Sequence, residues 1–265
     1  MTVDFYTENN VVFCRALSDI PFISHGFSTR LGGVSELEYT KSLNLGYCRG
    51  DDDAAVNENR RRFAGYAGFD IGGLVCSEQV HSDKIAVIDG GKKRYNGYDG
   101  FVSKTPGVFA AVKTADCLPV MFADEKNRVV GVCHAGWRGT VKYIAAKTVD
   151  AMVKEGADKK SIVSALGPCI CAECFTVRED FIAEFEKTAP ELLRFIYEKD
   201  GIYHADLKGM NKYVLLSAGL SEQNIHVCPD CTCCDGEKYY SHRRQKGHRG
   251  TMMNVMGIKE ALPLS

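Results

Sequence analysis

The sequence predicts an α+β fold in which helices pack on a mixed β-sheet core, within one domain spanning residues 1–265. Apolar, β-branched segments come first along the chain, and segments with helical spacing follow them. No internal repeat and no Pro/Gly/Ser-rich linker divides the chain. The composition, with 45% hydrophobic and 25% charged residues, is typical of a globular protein.

Eight strands are predicted from short apolar runs that are mostly bounded by turn residues. They are expected near Val11–Cys14, Ile23–Ser28, Leu74–Val80, Ile85–Ile88, Val108–Val112, Leu118–Phe122, Val129–Cys133 and Ile162–Leu166. Three later segments show helical spacing with a stop signal at the end. These are VKYIAAKTVDAMVKEG after Thr140, EDFIAEFEKTAP after Arg178 and LKGMNKYVLLSAG after Asp206.

The charge balance excludes one class of function and leaves another open. The 33 Lys and Arg residues nearly cancel the 34 Asp and Glu residues, for a formal net charge of -1. A general nucleic-acid binder would carry a basic surface, so no nucleic-acid partner is expected, whereas a small anionic ligand remains compatible with the sequence. The N-terminus lacks a signal-peptide pattern, and no apolar run approaches the roughly 18 residues that span a bilayer. We therefore expect a cytoplasmic protein with no membrane partner.

The chain has 12 cysteines, but it is neither short nor visibly exported. Reduced thiols and metal ligands are therefore favoured over a disulfide framework. Two segments have metal-type spacings, Cys169-x-Cys171-x-x-Cys174 and Cys228-x-x-Cys231-x-Cys233-Cys234. Four of these thiols could hold a second, structural zinc; the alternative is that they are buried or redox-labile thiols.

Reactive side chains concentrate where predicted strands end, in the segments 79–82, 114–117 and 133–140. His81, Cys117 and His134 would together give Zn²⁺ three ligands and leave a fourth position for water or substrate. The gaps between them match no short zinc motif, so buried, hydrogen-bonded histidines and a small hydrophobic cysteine remain an alternative. Asp116 and Cys133 adjoin these residues and could orient them or transfer protons, or could face the core.

The segment from His134 to Thr140 resembles an anion site at a strand-to-helix turn. Its glycines permit a tight backbone, Arg138 offers a bidentate guanidinium, and Thr140 is predicted to be the N-cap of the following helix. Packing of Trp137 in the core and a surface salt bridge of Arg138 are the structural alternatives.

Motifs along almost the whole chain resemble those of the YfiH family, also called the laccase-domain or polyphenol oxidase family. The matching segments are HGFSTRLGGVS (25–35), SLNLG (42–46), VNENR (56–60), QVHS (79–82), DG (99–100), TADCLPV (114–120), CHAGWRGT (133–140), ALGPCI (165–170) and SHRR (241–244). The resemblance implies an α/β sandwich related to CNF-type bacterial toxin cysteine hydrolases. It also places the metal ligands, which are catalytic residues as well, on His81, Cys117 and His134.

The resemblance implies a zinc-dependent purine nucleoside phosphorylase. Its substrates would be phosphate with adenosine, inosine, guanosine or methylthioadenosine, and adenosine deamination would be a second activity. The older laccase label implies copper and phenol oxidation instead. A peptidoglycan precursor-editing hydrolase is a further alternative, and the many thiols leave a metal-binding redox sensor as the non-enzymatic one. The oligomeric state, monomer or homodimer, stays open.

Further substrate-binding residues are expected around the metal. Arg30 and Asn44 resemble the substrate-side loop of the family, where they would hold phosphate and a ribose or base edge. Arg243 and Arg244 are candidates for phosphate contact, with a solvated basic loop as the alternative.

Among the remaining cysteines, the family pattern accounts for Cys174, Cys231 and Cys234. The other four are expected to be dispensable for catalysis: Cys169, Cys171, Cys228 and Cys233.

Overall fold

The structure is a computed structural model that describes residues 4–260, so the outermost residues of the predicted domain lie outside the described part. Sixteen strands are present in the described part: β1 (Phe5–Glu8), β2 (Val11–Cys14), β3 (Ile23–Ser28), β4 (Leu74–Glu78), β5 (Ile85–Val87), β6 (Arg94–Asn96), β7 (Gly100–Ser103), β8 (Phe109–Thr114), β9 (Leu118–Asp124), β10 (Val129–Ala135), β11 (Val163–Leu166), β12 (Thr176–Val177), β13 (Ile196–Lys199), β14 (Ile202–Ala205), β15 (Ile225–Val227) and β16 (Met252–Ile258).

Six α-helices connect these strands within residues 4–260: α1 (Arg15–Ser18), α2 (Asp53–Ala67), α3 (Trp137–Thr140), α4 (Ile144–Lys154), α5 (Glu179–Thr188) and α6 (Leu207–Ser217). Three short 3₁₀ segments accompany them: Ile71–Gly73, Pro190–Phe195 and Glu222–Asn224.

The strands form two large sheets and one small one. The seven-stranded sheet has the order β1-β2-β3-β16-β8-β4-β6, and the six-stranded sheet has the order β15-β11-β9-β10-β7-β5. Both are mixed, since β4 runs parallel to β8 while β16 runs antiparallel to it, and β11 runs parallel to β15 but antiparallel to β9. The order β12-β14-β13 forms the small third sheet.

The two large sheets pack face to face, and alternation along their strands fills both faces of each sheet. In β9, Met121 points into the layer between the sheets, whereas Phe122 points to the outer face. In β8, Val112 faces the inner layer and Ala111 the outer one. Because both faces are buried, these strands are continuous apolar runs, and such runs gave the strand predictions.

Helices cover both outer faces. Helices α4, α5 and α6 pack on the six-stranded sheet through residues such as Val149, Phe185 and Val214. Helix α2 packs on the seven-stranded sheet through Phe63, beside Val255 of β16. The order of layers is therefore helix, sheet, sheet, helix, which confirms the predicted α+β class with a mixed sheet core.

Most predicted elements are confirmed, and one detail is wrong. All eight predicted strands and three predicted helices are present, with ends that shift by a few residues. Thr140 is the last residue of α3 and does not cap α4, whose N-cap position is Tyr143 with φ of 59°. The hydroxyl of Thr140 is already engaged, because it accepts a hydrogen bond from the Asn211 amide at 2.9 Å.

Candidate metal centre

The three predicted ligands lie at one end of the sandwich, two of them on connections between the two large sheets and one in a strand. His81 follows β4 of the seven-stranded sheet, Cys117 lies in the connection from β8 to β9, and His134 lies in β10 of the six-stranded sheet. Gln79 holds the first of these segments beside β8, since its amide donates to the Lys113 carbonyl at 2.9 Å and accepts from the Lys113 N–H at 2.7 Å. The connections therefore converge at one end of the sandwich.

The ligand atoms of His81, Cys117 and His134 lie within 4.8 Å of one another. The Cys117 Sγ is 3.9 Å from the His81 Nε2, and the two imidazole ring centroids are 4.8 Å apart. His134 is buried, Cys117 is half-buried and His81 is exposed. The cluster is therefore open to solvent on the His81 side, as a site with a free coordination position for water or substrate requires.

Asp99 fixes both histidines. Its carboxylate, which is fully buried, contacts the Nδ1 of His134 at 2.7 Å. The same carboxylate accepts hydrogen bonds from the backbone N–H groups of Val80, His81 and Ser82 and from the Ser82 hydroxyl. These bonds hold His81 in the left-handed region, with φ of 59°. A carboxylate behind a ligating histidine fixes the ring so that its other nitrogen faces the metal, and here that nitrogen is Nε2.

The electrostatics of the cluster favour a cation. Burial alone raises the pKa of Cys117, but the charges and hydrogen bonds of His134 and His81 outweigh it and lower that pKa to about 6. Burial lowers the pKa of His134, whereas Cys117 and Asp99 outweigh it and raise the pKa to about 9. Near neutral pH the metal-free cluster therefore holds a thiolate and an imidazolium whose proton a metal ion would displace.

Gly136 leaves the space in which the three ligands meet. A Cβ at this position would lie 3.0 Å from the Cys117 Sγ and 3.1 Å from the His81 Cδ2. It would also lie 3.5 Å from the His134 Cε1. The soft thiolate, the two imidazoles and the small residue between them fit a zinc ion better than a hard cation that prefers oxygen ligands.

The two residues adjacent to the ligands have structural partners. Cys133 is buried in the core of the six-stranded sheet, where burial raises the pKa of its thiol to about 12. Asp116, with φ of 91°, accepts hydrogen bonds from the Thr232 hydroxyl at 2.7 Å and the Ser241 hydroxyl at 3.0 Å. The backbone N–H of Arg243 also donates to Asp116, at 2.7 Å. Asp116 thus fastens the C-terminal loop beside Cys117.

The predicted anion segment after His134 has its arginine on the surface. Arg138 is exposed, and its guanidinium lies over the Trp137 ring at 4.2 Å from the centroid. Trp137 is half-buried and packs against Phe181 at 5.2 Å between ring centroids. Within residues 4–260, Arg138 forms no salt bridge with a carboxylate.

Arg30 and Asn44 are engaged in holding the loop that follows β3. The Arg30 guanidinium donates to the Lys41 and Gly236 carbonyls and lies over the Tyr240 ring. Asn44 is fully buried, and its amide nitrogen donates to the Gly46 carbonyl and to the Asp51 carboxylate. Its amide oxygen accepts from the N–H groups of Gly46 and Thr251, so its four hydrogen bonds are made within the protein.

Arg243 and Arg244 are similarly engaged. The Arg243 guanidinium donates to the Cys174 carbonyl and to both the hydroxyl and the carbonyl of Thr176. The Arg244 guanidinium donates to three carbonyls, those of Thr232, Cys233 and Tyr239. Both side chains connect loops, and neither guanidinium points freely into the metal centre.

Arg249 is a basic residue near the site that the sequence patterns did not single out. Burial lowers the pKa of Arg249 to about 10, the nearby Arg49 lowers it as well, and Cys117 and Asp116 act in the opposite direction. The buried Nε of Arg249 has no hydrogen-bond partner, and the residue forms no salt bridge among residues 4–260. Arg249 is half-buried, and its other guanidinium nitrogen donates to the Gly250 carbonyl and the Thr251 hydroxyl. A half-buried guanidinium with an unused donor near a thiolate is suited to an anionic ligand. Only its position three residues before the start of the apolar β16 could have drawn attention to it.

Comparison with known proteins agrees with the motifs. A family model described as multi-copper polyphenol oxidoreductase laccase matches residues 24–259. A purine nucleoside phosphorylase of Deinococcus radiodurans is 39% identical over 236 residues, which cover 89% of this chain and 89% of that protein. Adenosine deaminase RL5, from an unknown prokaryotic organism, is 34% identical over 229 residues, covering 82% of this chain and 87% of that protein.

Solved structures share the whole fold. YlmD from Geobacillus stearothermophilus superposes with a TM-score of 0.90 at 33% identity, covering 98% of this chain and 100% of that one. YfiH from Bacillus licheniformis gives a TM-score of 0.89 at 31% identity, covering 96% and 99%. Within residues 4–260 no helix combines the length and apolarity needed to cross a membrane. The family match along nearly the whole described chain and the shared fold show that this protein belongs to the laccase-domain family, together with YfiH and YlmD.

Proposed function

We propose that this protein is a zinc-dependent purine nucleoside phosphorylase that also deaminates adenosine. Adenosine, inosine, guanosine and methylthioadenosine are the proposed nucleosides, and phosphate is the second substrate. The observation that carries the proposal is the convergence of His81, Cys117 and His134, within 4.8 Å of one another, on a solvent-open site. The half-buried cation of Arg249 lies near enough to interact electrostatically with Cys117. The names of the relatives from Deinococcus radiodurans and of RL5 support this choice of reactions.

His81, Cys117 and His134 would hold the zinc ion, which when bound supplies a Lewis acid and lowers the pKa of a coordinated water. Asp99 accepts the Nδ1 proton of His134, which leaves Nε2 as the donor toward the metal. Asp99 also holds the backbone of His81, so one buried carboxylate keeps two ligands in place before metal arrives. Such preorganisation lowers the cost of binding and orienting the reactants.

Phosphorolysis needs an anion held against the ribose. A phosphate oxygen forms a bond to C1′ while the bond from C1′ to the purine nitrogen breaks, and the purine leaves with the electron pair and takes up a proton. Arg249 has a free Nε donor for the phosphate, and Arg138 offers an exposed guanidinium on the segment that follows His134. In deamination, water replaces the amino group at C6 of adenosine, so no phosphate is needed.

The assay that tests the function uses purified protein, adenosine and Zn²⁺, with and without phosphate. We expect adenine and ribose 1-phosphate with phosphate present, and slower inosine formation without it. Binding of metal without turnover would instead indicate a redox sensor. If the copper-loaded protein oxidises a phenol and no nucleoside is converted, the polyphenol oxidase alternative is favoured. If the protein hydrolyses a muramyl-peptide precursor and no nucleoside is converted, the editing hydrolase is favoured.

Replacing Cys117 by alanine removes the one soft ligand of the centre. We expect Cys117→Ala to lose the zinc of this centre and most adenine release, whereas Cys48→Ser, at an exposed cysteine elsewhere, should retain both. Full metal content and full turnover in Cys117→Ala would show that Cys117 is not a ligand.

A further inference from the structure

A second group of cysteines lies away from the proposed catalytic centre. The Sγ atoms of Cys171, Cys174, Cys231 and Cys234 all lie within 4.8 Å of one another. The Cys174 and Cys234 sulfurs are 3.4 Å apart, and the Cys171 and Cys234 sulfurs are 3.9 Å apart. Four sulfurs bound tetrahedrally at the zinc–sulfur bond length would be separated by about 3.8 Å. We propose that these four residues, here called the thiol tetrad, bind a structural zinc ion.

The sequence and the backbone both provide for such a site. The tetrad consists of two Cys-x-x-Cys pairs, 171–174 and 231–234, and paired spacing of this kind is typical of structural zinc sites. The Cys231 sulfur accepts hydrogen bonds from the backbone N–H groups of Cys171 at 3.2 Å and Cys234 at 3.4 Å. Donors aimed at a sulfur favour its thiolate form, which is the form that binds metal.

The two loops are joined before any metal binds. Cys169 and Cys231 form a parallel β-bridge, and the Thr232 N–H donates to the Cys169 carbonyl at 3.1 Å. These contacts bring the two Cys-x-x-Cys pairs together in register. The four thiol ligands are therefore already arranged around one point, and a bound metal ion would cross-link the two loops.

The surrounding charges suit a tetrathiolate. A zinc ion with four thiolates carries a net charge of -2, since four negative ligands surround a divalent cation. The guanidinium of Arg243 donates to the Cys174 carbonyl, and that of Arg244 donates to the Cys233 carbonyl. Two cations therefore lie on the loops that hold the tetrad, and this placement offsets its charge.

The spatial grouping differs from the one expected from the family pattern. Of the four cysteines expected to be dispensable, only Cys171 belongs to the tetrad. Cys169 and Cys228 are buried and lie outside it, and Cys233 is half-buried and packs against the core of the six-stranded sheet. Sequence alone could not separate these thiols because seven cysteines fall within the two segments.

The thiol tetrad would fasten the loop around residue 172 to the C-terminal loop around residue 232. Thr232 donates to Asp116, the neighbour of Cys117, so the C-terminal loop forms a support for the proposed catalytic centre. The tetrad is nevertheless separate from the His81 site, and its metal can be counted whatever reaction the protein catalyses.

Metal content of the purified, reduced protein tests the proposal. After loading with Zn²⁺ and gel filtration, we expect two zinc ions per chain in the wild type and one in the double variant Cys171→Ser/Cys234→Ser. The control Cys233→Ser, in the same loop, should keep two. The double variant should also melt several degrees lower, since structural zinc contributes directly to folding.

Cobalt and alkylation provide readouts that do not need the variant to fold. Co²⁺ in wild-type protein should give a sulfur-to-metal charge-transfer band of tetrathiolate intensity that persists in Cys117→Ala. Iodoacetamide should modify the four tetrad thiols only after a chelator is added. One zinc per chain that Cys117→Ala abolishes, or alkylation of the tetrad thiols that zinc does not affect, would each overturn the proposal.

Discussion

At the scale of single residues, the proposed catalytic centre depends on contacts between distant parts of the chain. Asp99 binds the His134 side chain and the backbone of His81, which are 35 and 18 residues away. Gly136 leaves room for the sulfur of Cys117. His81, Cys117 and His134 could be proposed as ligands because each ends or follows an apolar run and lies in a segment that resembles a family motif. Asp99 and Gly136 lie in segments that resemble the family, but residue spacing does not predict their three-dimensional contacts with the proposed ligands.

Gly136→Ala should weaken zinc binding without unfolding the protein. The added Cβ would lie 3.0 Å from the Cys117 sulfur and 3.1 Å from the His81 ring, so a ligand must move. We expect at least about a tenfold weaker zinc affinity, which corresponds to about 1.4 kcal/mol, measured by competition with a chromophoric chelator. Gly65→Ala, in α2 with nothing within 4 Å of its Cβ position, is the control. Equal affinities in both variants would contradict this role of Gly136.

Arg138 and Arg249 can be separated by comparing the two activities. An arginine that binds phosphate matters only when phosphate is the nucleophile, so Arg138→Ala should lower phosphorolysis more than deamination. Arg249→Met tests the half-buried guanidinium in the same way, through the KM for phosphate. Equal loss of both activities in Arg138→Ala would show that Arg138 stabilises the turn after His134. Phosphate binding would then rest with Arg249, Arg30 or the 243/244 pair.

At the scale of elements, α2 shows why a helix with a strongly polar sequence escaped prediction. Its residues DAAVNENRRRFAGYA include five charged side chains, and Val56 and Phe63 are its only large apolar side chains that are buried, so the periodicity is weak. The helix is held in place by Phe63 and by the hydrogen bonds of Asn59, here called the polar clip. The buried side chain of Asn59 accepts from the Val34 N–H and donates to the Ser35 hydroxyl and the Asn44 carbonyl.

Strand β16 escaped prediction for a related reason, since Asn254 and Gly257 interrupt its apolar run.

Asn59→Leu should therefore destabilise the protein strongly. The substitution leaves buried backbone groups of the loop after β3 without partners, and each such group costs about 1–3 kcal/mol. We expect the free energy of unfolding in urea to fall by about 3 kcal/mol. Arg61→Ala, which removes an exposed ion pair with Glu58 on the same helix, should change it little. A loss in Asn59→Leu no larger than in Arg61→Ala would show that the clip contributes nothing.

At the scale of the whole molecule, stability should depend on pH through a histidine in the seven-stranded sheet. His25 is buried, and burial, with a smaller contribution from the charge of Lys259, lowers its pKa from 6.5 to about 4. Its Nε2 accepts the Cys14 N–H at 3.0 Å, and its ring meets the edge of Phe13. The unfolded chain therefore binds a proton that the folded protein excludes between these two pH values.

The direction of the pH dependence follows from the difference between the folded and unfolded pKa of His25. Stability contributed by neutral His25 is complete above pH 6.5 and is lost as pH falls toward 4. Its maximum is about 3 kcal/mol. We expect His25→Gln to show a flatter decline of unfolding free energy over this range than the wild type or the exposed control His248→Gln. Parallel curves for all three proteins would exclude His25 as the source.

The joining of two sheets at one metal centre has a mechanical consequence. His81 follows a strand of the seven-stranded sheet, His134 lies in the six-stranded sheet, and Cys117 lies in the crossing between them. Sliding one sheet over the other by a fraction of an ångström would change the distances among the three donors. The affinity for zinc should therefore depend on how tightly the side chains between the two large sheets are packed. Conditions that loosen the packing between the sheets, such as hydrostatic pressure or a cavity created by Met121→Ala, would release the metal while both sheets keep their hydrogen bonds.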